Sequence, residues 1–528
     1  MLLQSLVSTS REISSTRSRT AKTALLAEAL RAAEPDEVPT VVSYLSGELR
    51  QRRIGVGWRS LQELPPAADA PTLSVAEAHE AFERMSGLSG SGSQAARATE
   101  LTRLFERATA EEQEYLALLV MGELRQGALD GVMLTAVAEA ARVPGEAVRR
   151  AVMLRGATGP VAAAALAEGE AGLDRFRLEV GRPVRPMLAS TAADVPAAMD
   201  KASEGASDGA TGSADDAPVA VEWKVDGIRV QVHREGDDVR VFTRSLDDIT
   251  PRVPEIVEAV AALCATSVVL DGEAVALDEA GRARPFQATG SRTASSANVA
   301  DLRARVPLTT YFFDVLHLDG DDLLDLPGAH RQDRLAALLP AHQQIPRLVT
   351  ADVAEARRFF AQAVETGHEG VVVKRLGEPY EAGRRGSGWV KVKPRHTLDL
   401  VVLAAEWGHG RRRGWLSNLH LGARDEETGE LVMLGKTFKG LTDAMLTWQT
   451  ERLLELESRR DEHVVYARPG LLVEVAFDGV QTSPRYPAGM ALRFARVLRH
   501  RTDKTADEAD TVQTVRAIHT GARPPTDV

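Results

Sequence analysis

Cysteine is nearly missing from this chain: Cys264 stands alone among 528 residues. That excludes an intramolecular disulfide framework and any four-cysteine zinc site. Cys264 closes the apolar run Val260-Ala261-Ala262-Leu263 and is expected to be buried filler. Long hydrophobic runs are missing too. No apolar stretch approaches the roughly 20 residues that cross a membrane, and Met1-Leu2-Leu3-Gln4-Ser5 lacks the basic and apolar regions of a secretory signal. No membrane partner and a cytoplasmic location are therefore expected. Nor is there an excess of positive charge. A formal net charge of -11 argues against a protein that coats nucleic acid indiscriminately, but it leaves room for a local basic surface.

What is present is 44% hydrophobic and 26% charged residues, the balance of a globular chain. Its length is too great for one core and implies roughly two to four domains. Basic clusters occur at Arg411-Arg412-Arg413, at Arg384-Arg385 and along Arg493, Arg496, Arg499, Arg501 and Lys504. Each alone fits a solvated face. Their weight comes from the motifs beside them.

Residues 1–180 are rich in Ala, Leu, Glu and Arg with apolar residues at helical spacing, as in Leu25-Leu26-Ala27-Glu28-Ala29-Leu30, and should form an all-α domain. Gly47-Glu48-Leu49-Arg50-Gln51 recurs as Gly122-Glu123-Leu124-Arg125-Gln126, which suggests two related helical halves. Between them, the glycines of Gly87-Leu88-Ser89-Gly90-Ser91-Gly92-Ser93-Gln94 suit either a phosphate-binding turn or a plain flexible loop. From about residue 185 the pattern changes to short β-branched runs: Val219–Val225, Ile228–Arg234, Val239–Thr243, Val268–Leu270, Thr310–Val315 and Gly370–Lys374. With helices expected at Arg331–Leu339 and Val353–Thr366, residues 185–398 read as an α+β domain. The acidic, low-complexity stretch 201–218 cannot bury apolar area and should be a disordered loop. Residues 399–505 alternate short strands (Trp415–Ala423, Leu431–Thr437, Leu471–Phe477) with turns, as a small β-barrel would, with a helix inserted at Ala444–Arg459. Asp399 lies at the join and suits a hinge. The tail 506–528 should fray.

Chemistry concentrates at Glu222-Trp223-Lys224-Val225-Asp226-Gly227-Ile228-Arg229. A lysine at a strand end, partly buried and ringed by cations, can lose its proton and act as a nucleophile. Asp226-Gly227 fits a tight turn after that strand, the glycine permitting close approach to a nucleotide. This segment alone is weak evidence, but others follow in order. Thr243-Arg244-Ser245 offers a guanidinium and a hydroxyl suited to phosphate. Asp271-Gly272-Glu273 places a carboxylate at a strand end. Phe312-Phe313-Asp314 supplies an aromatic ring. His368-Glu369-Gly370-Val371-Val372-Val373-Lys374 adds a carboxylate and a lysine. In Arg385-Gly386-Ser387-Gly388-Trp389-Val390-Lys391-Val392-Lys393 the alternating lysines share one face of a strand. Each segment also has a bland reading: Phe313 and Trp389 as core, Asp271-Gly272 as a turn, Glu369 as a cap, Lys391 and Lys393 as protection of a sheet edge. Six in one order are hard to obtain by accident. Glu273 and Glu369 would suit Mg²⁺, which takes one or two carboxylates and otherwise water and phosphate oxygens.

Together these segments resemble the nucleotidyltransferase motifs of ATP-dependent DNA ligases. The resemblance continues through Gly435-Lys436-Thr437-Phe438-Lys439-Gly440-Leu441 and the run Leu492 to Lys504. The helical third resembles the DNA-binding domain of the larger cellular and archaeal-type ligases. The resemblance implies a multidomain chain: an all-α DNA-binding domain, an adenylation domain and a C-terminal OB-fold. It implies Lys224 as the AMP-accepting nucleophile and Glu222 as a contact to adenine. Arg229 and Arg244 would hold ribose and phosphate, Glu273 would face the ribose or metal, Phe313 would stack on adenine, and Glu369 would help hold the metal. Arg385, Lys391 and Lys393 would lie near the α-phosphate, with Arg493, Arg496 and Lys504 orienting pyrophosphate. ATP and Mg²⁺ are the implied cofactors and nicked duplex DNA the implied partner, in replication, repair or recombination; a monomer is expected. Ala495 departs from the family's usual proline. An RNA ligase or capping-type nucleotidyltransferase shares the lysine chemistry, though the helical third favours the DNA enzyme. NAD as donor is disfavoured by the missing cysteines, and a DNA-end-binding scaffold by the intact lysine and carboxylates.

Overall fold

The computed structural model describes residues 1–51, 54–124, 130–203, 217–284, 286–294, 298–381 and 388–520. Its first third is helical around a single apolar core in which Leu6, Leu26, Tyr44, Phe82, Phe105 and Val137 are essentially inaccessible. Capping boxes start two of the helices: Ser74 with Glu77, and Thr109 with Glu112. In each case a hydroxyl satisfies a free N–H of the first turn while the carboxylate returns to the cap. The helices Leu3–Ser15, Arg19–Ala32 and Val38–Leu45 lead into the first copy of the repeated pentapeptide. Val75–Gly87, Ser93–Glu106 and Ala110–Met121 lead into the second, whose Arg125-Gln126 lies outside the described residues. Gly47 and Gly122 both take left-handed backbone, at φ 79° and 66°. A Cβ on Gly47 would stand 2.9 Å from the Leu124 carbonyl oxygen, so the two copies touch. The glycine loop before Ser93–Glu106 is tied down by Arg97, which donates to the Met85 carbonyl at 3.2 Å and also to that of Leu88.

The central body is two five-stranded sheets. One runs Ser190–Thr191, Trp389–Val392, Val371–Lys374, Val219–Trp223, Arg347–Thr350 in spatial order; the other Asp238–Thr243, Ile228–Glu235, Ser267–Ala276, Leu308–Leu318, Asp321–Asp322. Lys224 to Gly227 is the crossing between them. The strand expected at Val268–Leu270 is longer, so Glu273 projects from its interior rather than its end. Of the expected acidic loop, residues 204–216 lie outside the described residues, and Lys201–Ser203 end the helix Val195–Ser203. Cys264 is exposed, contrary to expectation. The helix Pro254–Ala261 stops before it and leaves it in a loop at the surface.

After Val392 the chain needs only Lys393, Pro394 and Arg395 to enter the long strand His396–Trp407 of the C-terminal domain. The two halves of that strand have different partners: Leu472–Phe477 pairs with His396 to Val401, and Val464–Ala467 with Ala404 to Glu406. The sheet therefore curls around Leu400, Val402, Leu419, Leu434 and Val473. Among the described residues its ladders do not close into a hydrogen-bonded ring. The inserted helix ends at Glu455, and Glu457–Arg460 is a strand. Asp399 is interior to its strand, where its carboxylate takes Arg501 and Lys504, both at 2.6 Å. The short join is at 393–395, and Asp399 ties the start of the domain to its end through these ion pairs.

Part of the tail is ordered where fraying was expected. Val512–His519 forms a helix whose Val512, Val515 and Ile518 enter the C-terminal core, since an i, i+3, i+6 apolar stripe has a face to cover there. Val515→Ala removes two fully buried methyl groups, and at roughly 0.8 kcal/mol each plus a cavity contribution it should cost about 2 kcal/mol. Urea unfolding measures this; an unchanged midpoint would mean that the tail adds nothing to the core.

Candidate active site

Where the chain crosses from one sheet to the other it opens a cleft of about 740 Å³, lined by Lys224, Asp226, Arg244, Glu273, Phe313, Glu369, Lys391, Lys393 and Arg493 among others. Two backbone bonds fix its chemical centre. The Lys224 N–H donates to the Gly370 carbonyl and the Glu369 N–H to the Lys224 carbonyl, both at 2.8 Å. These bonds extend the pairing of Val219–Trp223 with Val371–Lys374 by one step and set the two side chains side by side. The Lys224 ammonium then ion-pairs with Glu369 Oε2, while Lys393 Nζ holds Oε1 at 2.9 Å.

Burial drives the pKa of Lys224 down, but Glu369 and Glu273 outweigh it and the net shift is upward. Among the protein's own groups, the carboxylates outweigh the cations around Lys224. Burial also disfavours the charged form of Glu369, yet Lys224 and Lys393 carry its pKa down to about 2. Glu273 is pushed up to about 7 by burial, and Asp226 to about 6 by burial and by Glu369.

Phe313 owes its direction to a bulge. Asp271 pairs with Asp314 and Gly272 with Phe312, so Phe313 is the extra residue of its strand. A bulge re-aims a side chain in this way, and here the ring turns to the cleft. Gly272 is required for it: a Cβ there would come within 2.7 Å of the Phe312 ring. Gly227 serves a similar end. Its Cβ would lie 2.2 Å from the Ala274 carbonyl oxygen, so the close approach it permits is to the neighbouring strand. Trp389 meets Phe313 edge to face at 5.9 Å. Lys374 Nζ lies 4.7 Å from the Phe313 ring centre and 4.1 Å from that of Trp389.

The sequence-predicted residues divide into those the fold gathers and those it leaves apart. Arg244 is exposed at the rim, with no hydrogen bond or ion pair to another described residue. Lys391 and Lys393 flank Val392 and both reach the cleft, as strand alternation requires. Arg493 arrives from the C-terminal domain, its Nη1 3.7 Å from Asp226 Oδ2. Glu222 lines the cleft but is only 2% exposed and already engaged by Arg347 at 2.7 Å and Lys374 at 2.6 Å. Arg229 spends four of its five N–H groups on Asp271, Met187 and Tyr380. Arg496 is exposed and outside the cleft, and Lys504 is held by Asp399. Arg385 lies outside the described residues.

Family models match in three successive segments: DNA ligase N terminus over 59–138, ATP dependent DNA ligase domain over 186–393, and ATP dependent DNA ligase C terminal region over 412–504. A protein of Nocardioides sp. called "Probable DNA ligase" is 59% identical, with 98% of this chain and 99% of the relative covered. One of the same description from Mycobacterium marinum is 55% identical, covering 98% and 100%. The chain belongs to the ATP-dependent DNA ligase family. A solved structure named "Pmar-Lig_PreS3" shares the fold, with TM-score 0.59 and 16% identity over 94% of this chain and 99% of that one.

The ligase thus has a helical N-terminal region, a nucleotidyltransferase domain and a C-terminal OB-fold domain, and it uses ATP with Mg²⁺, the general metal of its family. Its donor set fits that ion. Among the described residues no cluster of three or more metal-binding side chains exists. Magnesium needs none, because it takes few carboxylates and completes its shell with water and phosphate. Glu273 makes no hydrogen bond to a described residue and lines the cleft beside Glu369, so its carboxylate is uncommitted to any described donor. Glu273 and Glu369 would hold the metal.

Several ligase residues escaped sequence reasoning. Lys374 was read as the lysine of a chemistry-bearing segment but was given no role in the site. Its spacing of two from Val372, which also lines the cleft, was the available signal. Phe494, 60% exposed and left-handed at φ 56°, and Phe286, 38% exposed, also line the cleft, and no local pattern distinguishes them. Gly227→Ala should lower the rate of enzyme–AMP formation at saturating ATP by about 100-fold, the scale of an ångström-sized misplacement. Unchanged single-turnover labelling would show that the turn can yield without disturbing Lys224.

Proposed function

We propose that this ligase seals nicks in duplex DNA through a covalent AMP adduct on Lys224. The observation that carries the reading is the Lys224 ammonium, locked beside Glu369 in a cleft with an aromatic wall on one side and Arg244, Lys391, Lys393 and Arg493 around it. In the first transfer Lys224 Nζ, having given its proton to solvent, attacks the α-phosphorus of ATP. A P–N bond forms, the bond from the α-phosphorus to the bridging oxygen breaks, and pyrophosphate leaves. The 5′-phosphate of a nick then takes the AMP from Lys224, and the adjacent 3′-OH displaces AMP as the phosphodiester forms.

Phe313 and Trp389 offer the base an apolar face, and the buried Glu222–Lys374 pair offers it polar edges. Arg244, Lys391 and Lys393 supply positive charge to the α-phosphate, where fixed cations in a partly dry cleft stabilise the charge of the transition state. Bound Mg²⁺ would neutralise phosphate oxygens. Arg493 faces the nucleotide from the C-terminal domain, an arrangement that suits the first transfer. Arg229 supports the pocket floor more than it contacts ligand. The helical domain would grip the duplex backbone without reading sequence. We place the enzyme in the cytoplasm as a monomer; among the described residues no helix is long and apolar enough to cross a membrane.

Incubation with α-labelled ATP and Mg²⁺ should leave label on the wild-type protein and none on Lys224→Ala, and a nicked DNA duplex should be sealed. Label retained by Lys224→Ala, or sealing confined to an RNA nick, would overturn the reading. The acidic limb of the labelling rate should follow Lys224, rising with pH as the amine deprotonates. Since Glu369 raises that pKa, Glu369→Gln should move the limb to lower pH even as the maximal rate falls. A limb that stays in place or moves to higher pH would show that Glu369 does not set the proton affinity of the nucleophile.

A further inference from the structure

Tyr380 sits behind the cleft and is 1% exposed. Its hydroxyl uses its full hydrogen-bonding capacity. It donates to Asp271 Oδ2 at 2.6 Å and accepts from the Met187 N–H at 3.0 Å and from Arg229 Nη2 at 3.2 Å. Asp271 is in turn bidentate to Arg229, at 2.9 and 2.5 Å, and Met187 returns its carbonyl to Arg229 Nη1 at 2.6 Å. Tyr380, Asp271, Met187 and Arg229 therefore form one closed polar unit in which no member moves alone.

Above this unit lies the nucleotide wall. The Arg229 guanidinium is 5.3 Å from the Phe313 ring and 5.7 Å from that of Trp389. The Tyr380 ring meets Trp389 edge to face at 5.9 Å. Beneath it lies the helical domain: Met153 and Leu154, of the helix Gly145–Arg155, share an apolar cluster with Tyr380, Met187, Leu324 and Trp389. The same helix grips the central body through Arg150, bidentate to Asp325 at 2.6 and 2.7 Å. The neighbouring Leu324 carbonyl accepts the Tyr380 N–H at 2.8 Å.

We propose that Tyr380 is a positioning residue for ATP: its hydroxyl locks Arg229 and its ring seats Trp389, so the aromatic wall is built on the joint with the helical domain. The inference rests on the Lys224 reading above and deepens it. Tyr380 touches no reacting atom, and its effect is on the fit of the nucleotide rather than on the transfer. A buried hydrogen bond to a charged group is worth about a factor of ten or more.

The test titrates ATP against the full-length protein in the Lys224 labelling assay, with wild type in parallel. In Tyr380→Phe the ring stays and the hydroxyl goes. The ATP concentration for half-maximal labelling rate should rise about ten-fold, with the limiting rate held within about three-fold. A half-saturation within about two-fold of wild type, or a fall in the limiting rate alone, overturns the proposal. Failure of the wild type to label strikes the Lys224 reading instead. Should Tyr380→Phe not fold, fluorotyrosine at 380 keeps shape and hydroxyl and changes only acidity. Half-saturation should again shift, and its constancy overturns the proposal.

Discussion

Two backbone hydrogen bonds between Lys224 and the Glu369-Gly370 segment carry the rest of the site. They hold the nucleophile and its carboxylate next to each other just beyond the paired ends of two strands, Val219–Trp223 and Val371–Lys374. Gly370, at φ 122° and with the Val392 carbonyl oxygen 2.3 Å from where a Cβ would stand, lets three strands converge there. Val371–Lys374 and Trp389–Val392 then deliver Lys374, Lys391 and Lys393 by alternation alone. The cost is electrostatic. Carboxylates near a buried amine favour its charged form, and Glu369 is ion-paired with Lys224.

Much of this was legible in the sequence because strand-borne motifs declare their geometry. Lys224, Lys391 and Lys393 sit on or just past short strand-forming runs, where a period of two tells which side chains share a face; Glu369 immediately precedes such a run, and Phe313 lies on one but is turned by the bulge. What local pattern cannot carry is partnership over distance. Glu222 and Arg229 look like ligand contacts in a linear reading, yet their charges are absorbed by Lys374 and Arg347 in one case and by Asp271 in the other. Tyr380 has no motif at all. Its three hydroxyl partners come from segments 109 to 193 residues away.

The same limit explains the other differences. Cys264 ends an apolar run, but the run breaks as its helix stops, and the last residue is left outside. The tail looked polar because only Val512, Val515 and Ile518 are needed for a helix to dock, and the surface that receives them belongs to another part of the chain. Asp399 lies near the domain join in sequence, while its partners Arg501 and Lys504 come from the end of the domain. In each case the missing information was the identity of the surface opposite.

The bulge at Phe313 sets stability against use. Shortening Leu308–Leu318 by the residue at 313 would make its ladder with Ser267–Ala276 even at that point, leaving the second shift, between Val269 and Leu270. The Phe313 ring would then no longer turn to the cleft beside Trp389. A more even ladder at this point would therefore take from the nucleotide pocket one of the two rings of its aromatic wall.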